Sequence, residues 1–269
     1  AQGLAGAIGV FLLFSGRYGI HLRLTDMLPR RELVEKILRL GVPSSIEQAA
    51  RALGLAVMML LVASFGTTAI AAYGIGARIF SFIIIPAMGL SMAVSTVVGQ
   101  NVGAGHDQRA VDGARIGMLV GFWGLNAAGL LLFLFAEATV RAFVPTDPDV
   151  IEVGARFMYL LTPAFGFFGL QMVMSGALAG AGNTMAAMML SILSFWVLRF
   201  PVAWVLSVPA GMGPDGVFWS FPISNVLSGG LAWWWFMRGG WIKRVVNEET
   251  ALIEAVREEA IVEEGVGEG

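Results

Sequence analysis

Long apolar stretches alternate with short polar ones along most of this chain. Seven of these stretches approach or exceed the roughly 20 residues that a helix needs to cross the ~30 Å hydrocarbon core of a bilayer. Helices are predicted over residues 1–20, 43–65, 72–98, 116–136, 154–180, 185–208 and 214–237. The pattern therefore predicts an all-α polytopic membrane protein, in which one leading helix is followed by a lobe of six.

The segments that connect the predicted helices differ in charge from one side of the membrane to the other. Ten Lys and Arg residues fall within 21–40, 99–115 and 238–244, whereas the opposite connections contribute only Arg141 and Arg156. Basic residues accumulate in cytoplasmic loops. We therefore expect a multi-pass protein of the cell membrane, with the polar segment 21–42 and the C-terminus in the cytoplasm.

Composition supports a membrane protein and narrows its chemistry. The chain is 57% hydrophobic and 13% charged, against about 25% charged residues in soluble domains. Residues 1–244 carry 16 Lys and Arg against 11 Asp and Glu, so the acidic excess lies in the tail. There is no cysteine, and the two histidines lie in separate polar segments. We therefore expect no metal site, no cofactor and no nucleic-acid partner.

Charged and amide side chains inside the predicted helices are the candidate functional residues. Such groups are costly in lipid and usually face a protein interior or a water-filled cavity. Glu47 and Arg51 are four residues apart, so they share a helix face and can pair. The structural alternatives are an ion pair at the interface, snorkelling arginines and hydrogen bonds between helices. The candidates for a substrate or cation cavity are Glu47, Gln48, Arg51, Arg78, Asn126, Gln171, Arg199 and Asn225.

Two glycine-rich segments separate predicted helices, "VGQNVGAGHDQRA" at 98–110 and "ALAGAGNTMAAM" at 177–188. The first fails the dinucleotide fingerprint, because Gln108 stands where a third glycine is needed, and it has no P-loop lysine. We interpret both as tight cytoplasmic turns whose glycines allow positive φ and close helix approach. Asp107 is placed to open the next helix. The structural glycines of these turns are Gly99, Gly103, Gly105, Gly180 and Gly182.

The order and spacing of these motifs resemble the MATE family, the multidrug and toxic compound extrusion transporters. "GVPSSIEQAARALG", "AAYGIGARIFSF" and "RFPVAWVLSVPAGMGPDGVFWS" resemble other parts of a MATE lobe. The resemblance implies twelve helices in two six-helix lobes that rock to give alternating access. It also implies export of organic, often cationic, compounds in exchange for Na⁺ or H⁺, with no enzymatic activity.

Mapped onto the family, the chain divides into four parts. Residues 1–20 match the last helix of the N-lobe, 21–42 a cytoplasmic linker with an amphipathic helix, and 43–238 the C-lobe. An acidic cytoplasmic tail occupies 239–269. We therefore expect a partial chain whose partners are organic small molecules, the lipid bilayer and a missing N-terminal lobe.

Two other functions remain open at this stage. A flippase for lipid-linked oligosaccharides or polyisoprenoids, from the same superfamily, needs a cationic cavity, which Arg51, Arg78 and Arg199 would favour. A membrane-embedded enzyme needs a convergent catalytic set. The sequence shows none inside the membrane, because both lysines, Lys36 and Lys243, lie outside the predicted spans.

Overall fold

The structure is a computed structural model that describes residues 31–242 and, before them, Gly3, Gly6 and Leu12. Those three residues are helical. The remainder of the predicted leading helix, and the tail from residue 243, lie outside the described residues. The chain divides into two compact units, Ala1–Val42 and Pro43–Gly269. The second unit contains the helices that form the candidate site.

Helices account for nearly all of the described residues from 31 to 242. A 3₁₀ turn at Thr162–Ala164 and a π-helical segment at Leu193–Arg199 interrupt them. The helices are α1 (Arg31–Ala63), α2 (Thr67–Gly103), α3 (Asp107–Leu134), α4 (Ala136–Phe143), α5 (Pro148–Leu161), α6 (Phe165–Gly180), α7 (Thr184–Ile192), α8 (Phe200–Ser207) and α9 (Pro214–Arg238).

Five helical stretches of the described residues are long and apolar enough to cross a membrane. They are Ile37–Ala63, Thr67–Gly103, Asp107–Leu134, Pro148–Gly180 and Thr184–Ser207. The all-α membrane class is therefore confirmed. Helix α9 fills the last predicted span but is not one of the five, because serine, glycine, asparagine and tryptophan lower its hydropathy.

The helices differ from the prediction at three places. Helix α1 continues through Pro43, so its first part overlaps the predicted linker, 21–42, and the rest overlaps the span predicted from 43. The predicted helix over 154–180 is interrupted at Thr162–Ala164, because Pro163 has no N–H to donate to the preceding turn. The short helix α4 (Ala136–Phe143) was not predicted and follows α3 after one residue.

Helix α6 is the central element of the lobe. Of the 18 most apolar consecutive residues within Pro148–Gly180, 78% are buried, whereas the corresponding share in the other four spans is 22–28%. Helices α2, α3 and α9 all pack against α6. Its glycines allow this crowding, because they let neighbouring backbones approach closely. Its remaining side chains fill the two hydrophobic clusters of the lobe, through Phe165, Phe168, Met174 and Leu178.

Many large apolar side chains of the other helices are exposed. Leu60 is 73% exposed, and Phe82, Met92 and Trp123 are 67–68% exposed. An apolar surface this extensive is unsuited to water. Its position on helices of membrane-spanning length explains it, because lipid chains solvate such side chains.

The two glycine-rich turns form as predicted in outline and differ in detail. Gly105 has φ 72° and Gly182 has φ 78°, in the left-handed region that glycine tolerates. The prediction of positive φ at Gly103 was wrong, because Gly103 is the last residue of α2. Asp107 opens α3, but the residue before it, His106, makes no side-chain cap.

The second turn is capped, and the helices that precede the two turns are in contact. The Asn183 side chain accepts a hydrogen bond from the Ala186 N–H at 3.3 Å. A Cβ at Gly99 would lie 3.1 Å from the Gly180 carbonyl oxygen, so these predicted close-packing glycines contact each other, whereas Gly103 has open space. We call the end of the lobe that carries both turns, 104–106 and 181–183, the turn end.

Candidate functional site

A cavity of about 270 Å³ lies among α1, α2 and α6. Three of the predicted site residues, Glu47, Gln48 and Arg51, line it. The site is close to the turn end, since Ser175 lies five residues before the end of α6, a rise of ~8 Å. The other lining residues are Ser44, Met88, Ser91, Met92, Ser95, Met172, Ser175, Gly176 and Ala179.

Glu47 is the acidic centre of this cavity. Its Oε1 is ion-paired with Nη2 of Arg51, one helical turn further along α1. The same oxygen accepts hydrogen bonds from Ser175 Oγ at 2.7 Å and Ser191 Oγ at 2.8 Å. Ser175 belongs to α6 and Ser191 to α7. One carboxylate oxygen therefore joins three helices.

Arg51 completes the same network from the cationic side. Its Nη2 donates to Ser191 Oγ at 3.0 Å and to Ser175 Oγ at 3.3 Å. Its Nη1 donates to the Met172 sulfur at 3.2 Å. Each serine hydroxyl therefore accepts from the guanidinium and donates to the carboxylate. The Arg51 Nε is buried without a hydrogen-bond partner among the described protein groups.

The ion pair is largely removed from solvent. The Glu47 side chain is 11% exposed and the Arg51 side chain 19%. Water screens a pair poorly in such a position, so the attraction between the two charges is stronger than on a surface. Removing one partner would leave the other charge buried and uncompensated. A cation that binds Glu47 must therefore compete with Arg51.

Three methionines give the cavity an apolar part. Met88, Met92 and Met172 line it with flexible thioether side chains, which adapt to ligands of different shape. Ser91 Oγ donates to the Met172 carbonyl oxygen at 2.7 Å and so ties α2 to α6 beneath the cavity.

Small residues bring α2 and α6 into backbone contact at this site. A Cβ at Gly176 would lie 2.3 Å from the Ser91 carbonyl oxygen, and one at Gly180 would lie 2.3 Å from that of Ser95. Ser91, Ser95 and Gly99 recur every four residues along one face of α2. Small residues at that spacing are typical of close crossings in membranes. The sequence-based prediction located only the Gly99 end of this contact.

A second polar cluster surrounds Arg199, at the end of the π-helical segment. Arg199 is 1% exposed, so the snorkelling alternative is wrong for this residue. Its Nε donates to Ser224 Oγ at 2.9 Å, and its Nη2 donates to Asn225 Oδ1 at 2.6 Å. The rings of Phe195 and Phe221 lie 4.5 and 4.6 Å from the guanidinium carbon. Among residues 31–242, no carboxylate is ion-paired with Arg199.

The structure places the remaining candidates outside the cavity lining. Asn126 Oδ1 accepts from the Gly166 N–H at 3.3 Å, just after the 3₁₀ turn. Gln171 accepts from Ser194 Oγ at 3.4 Å. Together with the bond between Arg199 and Asn225, these contacts join different elements of the lobe. Hydrogen bonds between helices were one of the structural alternatives to a cavity role for these residues. Arg78 is exposed.

A larger cavity of about 660 Å³ lies between α4 and α5. Its charged groups are exposed and already paired. Arg141 bonds to Glu137 at 2.6 Å with both side chains more than half exposed, and Arg156 bonds to Asp215 at 3.0 Å. We therefore assign the functional site to the smaller cavity, where the charges are buried.

Sequence reasoning missed Ser175, Ser191 and the methionines of the site. The serines lie on α6 and α7, more than 120 positions from Glu47. Isolated serines also occur in another helix, α9, as at Ser220 and Ser228, so composition alone does not single out the two that contact Glu47. In the part of the chain that the structure describes, no three His, Asp or Glu side chains converge to hold a metal.

Comparison with known proteins adds a family. A family model described as MatE matches residues 43–205. The "Probable multidrug resistance protein NorM" of Thermotoga maritima is 29% identical over 218 residues, which are 81% of this chain and 47% of that protein. The protein of the same name from Pseudomonas aeruginosa is 33% identical over 213 residues, 76% of this chain and 41% of that protein.

A solved structure shares the fold. The crystal structure of the Vibrio cholerae MATE transporter VcmN in the bent form aligns with a TM-score of 0.75 at 21% identity. The alignment covers 88% of this chain and 53% of that chain. The chain therefore spans about half the length of the proteins that it matches. The matched family range, 43–205, contains every residue that bonds to Glu47.

Proposed function

Because the chain belongs to the MatE family, we propose that the protein exports organic compounds by secondary active antiport against Na⁺ or H⁺. Members of this family are transporters and not enzymes. One observation carries the proposal: a buried carboxylate, Glu47, lines an adaptable cavity and is balanced by the single arginine Arg51. Intramembrane acids in such positions are typical of ion and substrate pathways.

Glu47 is the residue that we assign to coupling. A proton or Na⁺ on its carboxylate weakens the attraction to Arg51 and leaves the guanidinium without its carboxylate partner. An unpaired charge in a largely dry site is costly. Binding of the coupling ion therefore accompanies a movement of Arg51 toward water or toward a substrate. We expect Ser175 and Ser191 to move with Arg51, because both serines bond to Glu47 and to Arg51.

The cavity chemistry suits organic substrates with an apolar body. Methionines supply adaptable contacts, and Glu47 offers a charge to a cationic group that displaces Arg51. At about 270 Å³ the cavity lies just below the roughly 300–1,000 Å³ of drug-sized sites. We therefore propose that a second, N-terminal lobe contributes the rest of the binding surface. The names of the two bacterial relatives, multidrug resistance proteins, support this substrate class.

Alternating access follows from movement of one lobe against the other. The backbone contacts between α2 and α6 favour movement of the lobe as a rigid unit. We place the protein in the cell membrane with residues 21–42, the turn end and the C-terminus in the cytoplasm. The support is the excess of basic residues in the corresponding segments.

The flippase alternative receives no support from the site geometry. Of Arg51, Arg78 and Arg199, only Arg51 lines the cavity. Its charge is already balanced by Glu47, so this lining does not present the strongly cationic surface that an anionic lipid headgroup needs.

Transport assays test the proposal. The full-length protein is reconstituted in vesicles, and dye efflux is measured with an imposed pH gradient, an imposed Na⁺ gradient, or neither. We expect one gradient to drive efflux. Glu47→Gln keeps an acceptor for both serines but leaves Arg51 without a carboxylate, so transport is normalised to the folded fraction, and we expect the transport of each folded molecule to fall. Efflux that ignores both gradients would refute the antiport.

The matched control is Glu137→Gln. Glu137 also pairs with an arginine four residues later, but its side chain is 58% exposed and lies outside the Glu47 cavity. We expect this variant to transport as the parent does. Parental transport by Glu47→Gln at equal expression would remove Glu47 from the mechanism.

A further inference from the structure

The span that follows the second turn is not a regular α-helix. Helix α7 ends at Ile192, a π-helical segment occupies Leu193–Arg199, and α8 begins at Phe200. π-Helical turns inside α-helices are rare and concentrate at functional sites. This one begins two residues after Ser191, which bonds to both members of the Glu47–Arg51 pair.

The π-helical segment connects two anchored ends. At its start, Ser191 is held by Glu47 at 2.8 Å and Arg51 at 3.0 Å. At its end, Arg199 is held on α9 by Ser224 at 2.9 Å and Asn225 at 2.6 Å. Hydrogen bonds from a guanidinium are charge-assisted and stronger than neutral ones. The Ser191 end is charge-assisted as well, through Glu47 and Arg51, so what distinguishes the Arg199 end is the packing of the segment and of α8 on α9.

Arg199 is held by its surroundings as well as by its hydrogen bonds. Two aromatic rings, Phe195 and Phe221, lie within 4.6 Å of its guanidinium carbon, a distance at which a ring face attracts a cation. Phe195 belongs to the π-helical segment itself, and Phe221 to α9. The guanidinium therefore joins the segment to α9 through one ring from each.

The segment also contacts the helix that carries Glu47. Trp196 Nε1 donates to the Ala50 carbonyl oxygen at 3.1 Å. Phe195 packs on Gly54, where a Cβ would lie 3.4 Å from the ring. Both contacts are made by residues between the two anchors, so they depend on the same helical register.

The register decides whether both anchors can hold at once. A π-helical turn accommodates one residue more than an α-helical turn, and each α-helical residue rotates the chain by about 100°. If the segment became α-helical, the faces before and after it would rotate by about 100° relative to each other. Because the segment and α8 also pack on α9, we expect the Ser191 end to be the one that turns, so Ser191 would leave Glu47.

We propose that Arg199 is a positioning residue of the Glu47 site, because its anchorage on α9 holds the π-helical register that turns Ser191 toward Glu47. Arg199 touches neither the cavity nor Glu47, so it acts through the segment. The consequence for transport rests on the proposed function of Glu47. The consequence for the position of Ser191 does not.

A cross-linking experiment tests the geometry without any transport assay. The chain has no cysteine, so Ser175→Cys and Ser191→Cys introduce the only thiols of this chain. Both hydroxyls bond to the same Glu47 oxygen, and the two thiols are therefore neighbours that a short bifunctional reagent links. We expect efficient cross-linking in the parent and a several-fold loss with Arg199→Met.

A one-residue deletion provides the rescue. Val197 lies inside the π-helical segment and is 56% exposed, so its removal costs little packing and leaves a chain length that suits a continuous α-helix. We expect deletion of Val197 to restore cross-linking in the Arg199→Met background. Arg109→Met, which removes an exposed arginine near the start of α3, is the control and keeps full cross-linking.

Each outcome decides the proposal. Cross-linking of Arg199→Met at the parental level overturns it, since the register then does not depend on Arg199. A loss of cross-linking that the deletion of Val197 does not restore also overturns the proposal, because the cause is then general misfolding. If Arg199→Met does not accumulate in membranes, Arg199→Lys with and without the deletion gives the same comparison, since lysine lacks the fork that reaches both partners.

Transport measured on the same variants separates the two proposals. If cross-linking follows the expected pattern while Glu47→Gln transports normally, the positioning role stands and the role of Glu47 in coupling fails. If Glu47→Gln is inactive while Arg199→Met cross-links as the parent does, the positioning role fails and the coupling role stands.

Discussion

Gly176 and Ser91 meet backbone to backbone, so that a Cβ on the glycine would lie 2.3 Å from the serine carbonyl oxygen. This contact brings α2 close enough to α6 for Ser91 Oγ to reach the Met172 carbonyl oxygen at 2.7 Å. The two helices form one side of the Glu47 cavity. The width of the cavity therefore depends on a residue without a side chain.

We expect Gly176→Ala to destabilise the protein by about 1–3 kcal/mol, because α2 must move away or a side chain must be strained. The measurement is thermal unfolding of the detergent-solubilised protein. Gly89→Ala is the control, since a Cβ there meets nothing within 4 Å and alanine favours the helix. An unchanged melting temperature for Gly176→Ala would contradict the close contact.

A double-mutant cycle measures the Glu47–Arg51 pair. Arg51→Met alone leaves a buried carboxylate, and we expect a loss on the order of 3 kcal/mol. Adding Glu47→Gln removes that charge, so the double variant recovers part of the loss, with a coupling energy of about 0.5–3 kcal/mol. The same cycle on the exposed pair Glu137–Arg141 should give about 0.3–0.5 kcal/mol. Equal coupling energies for the two pairs would show that Glu47 and Arg51 are solvated.

Asn126 secures the interruption between α5 and α6. Its side-chain oxygen accepts from the Gly166 N–H, at the start of α6, where backbone donors have no helical partner. We expect Asn126→Leu to lower stability by about 1–3 kcal/mol, because a buried N–H loses its acceptor. Asn101→Leu serves as the comparison, since the Asn101 side chain donates to the Val97 carbonyl oxygen one turn earlier in its own helix, in an exposed position. Equal melting temperatures for the two variants would remove the capping role.

Thiol labelling tests the orientation. This chain has no cysteine, so Asp112→Cys and Asp149→Cys each place a single thiol in it, and both positions are exposed. If α3 spans the membrane with the basic segments in the cytoplasm, an impermeant maleimide labels position 149 in intact cells. Position 112 reacts only after permeabilisation. The reverse pattern would invert the topology.

The sequence predicts the parts of this site that depend on local geometry. The spacing of Glu47 and Arg51 places them on one helix face, and their pairing is confirmed. The glycine turns at Gly105 and Gly182 follow from the need for positive φ. In each case the interacting groups lie within a few residues of one another, so no knowledge of the tertiary fold is needed.

The sequence does not predict the parts that depend on packing between distant helices. Ser191 lies 144 positions from Glu47, and its orientation is set by a π-helical turn that leaves no mark in hydropathy. Snorkelling and burial are equally compatible with an arginine near a proline, and the burial of Arg199 becomes evident only when Ser224 and Asn225 are seen beside it. The contacts of Arg199 with α9 show that the side chain is buried and does not snorkel.

The partners of Arg199 have a consequence for biosynthesis. Ser224 and Asn225 follow Arg199 by 25 and 26 positions, so the ribosome delivers the guanidinium before any of its hydrogen-bond acceptors. During that interval the nascent segment carries the guanidinium without the acceptors that Ser224 and Asn225 supply. We expect a chain that stops before α9 to be retained at the insertion machinery and degraded. We expect stable insertion of the lobe to require α9, because α9 supplies the acceptors of Arg199.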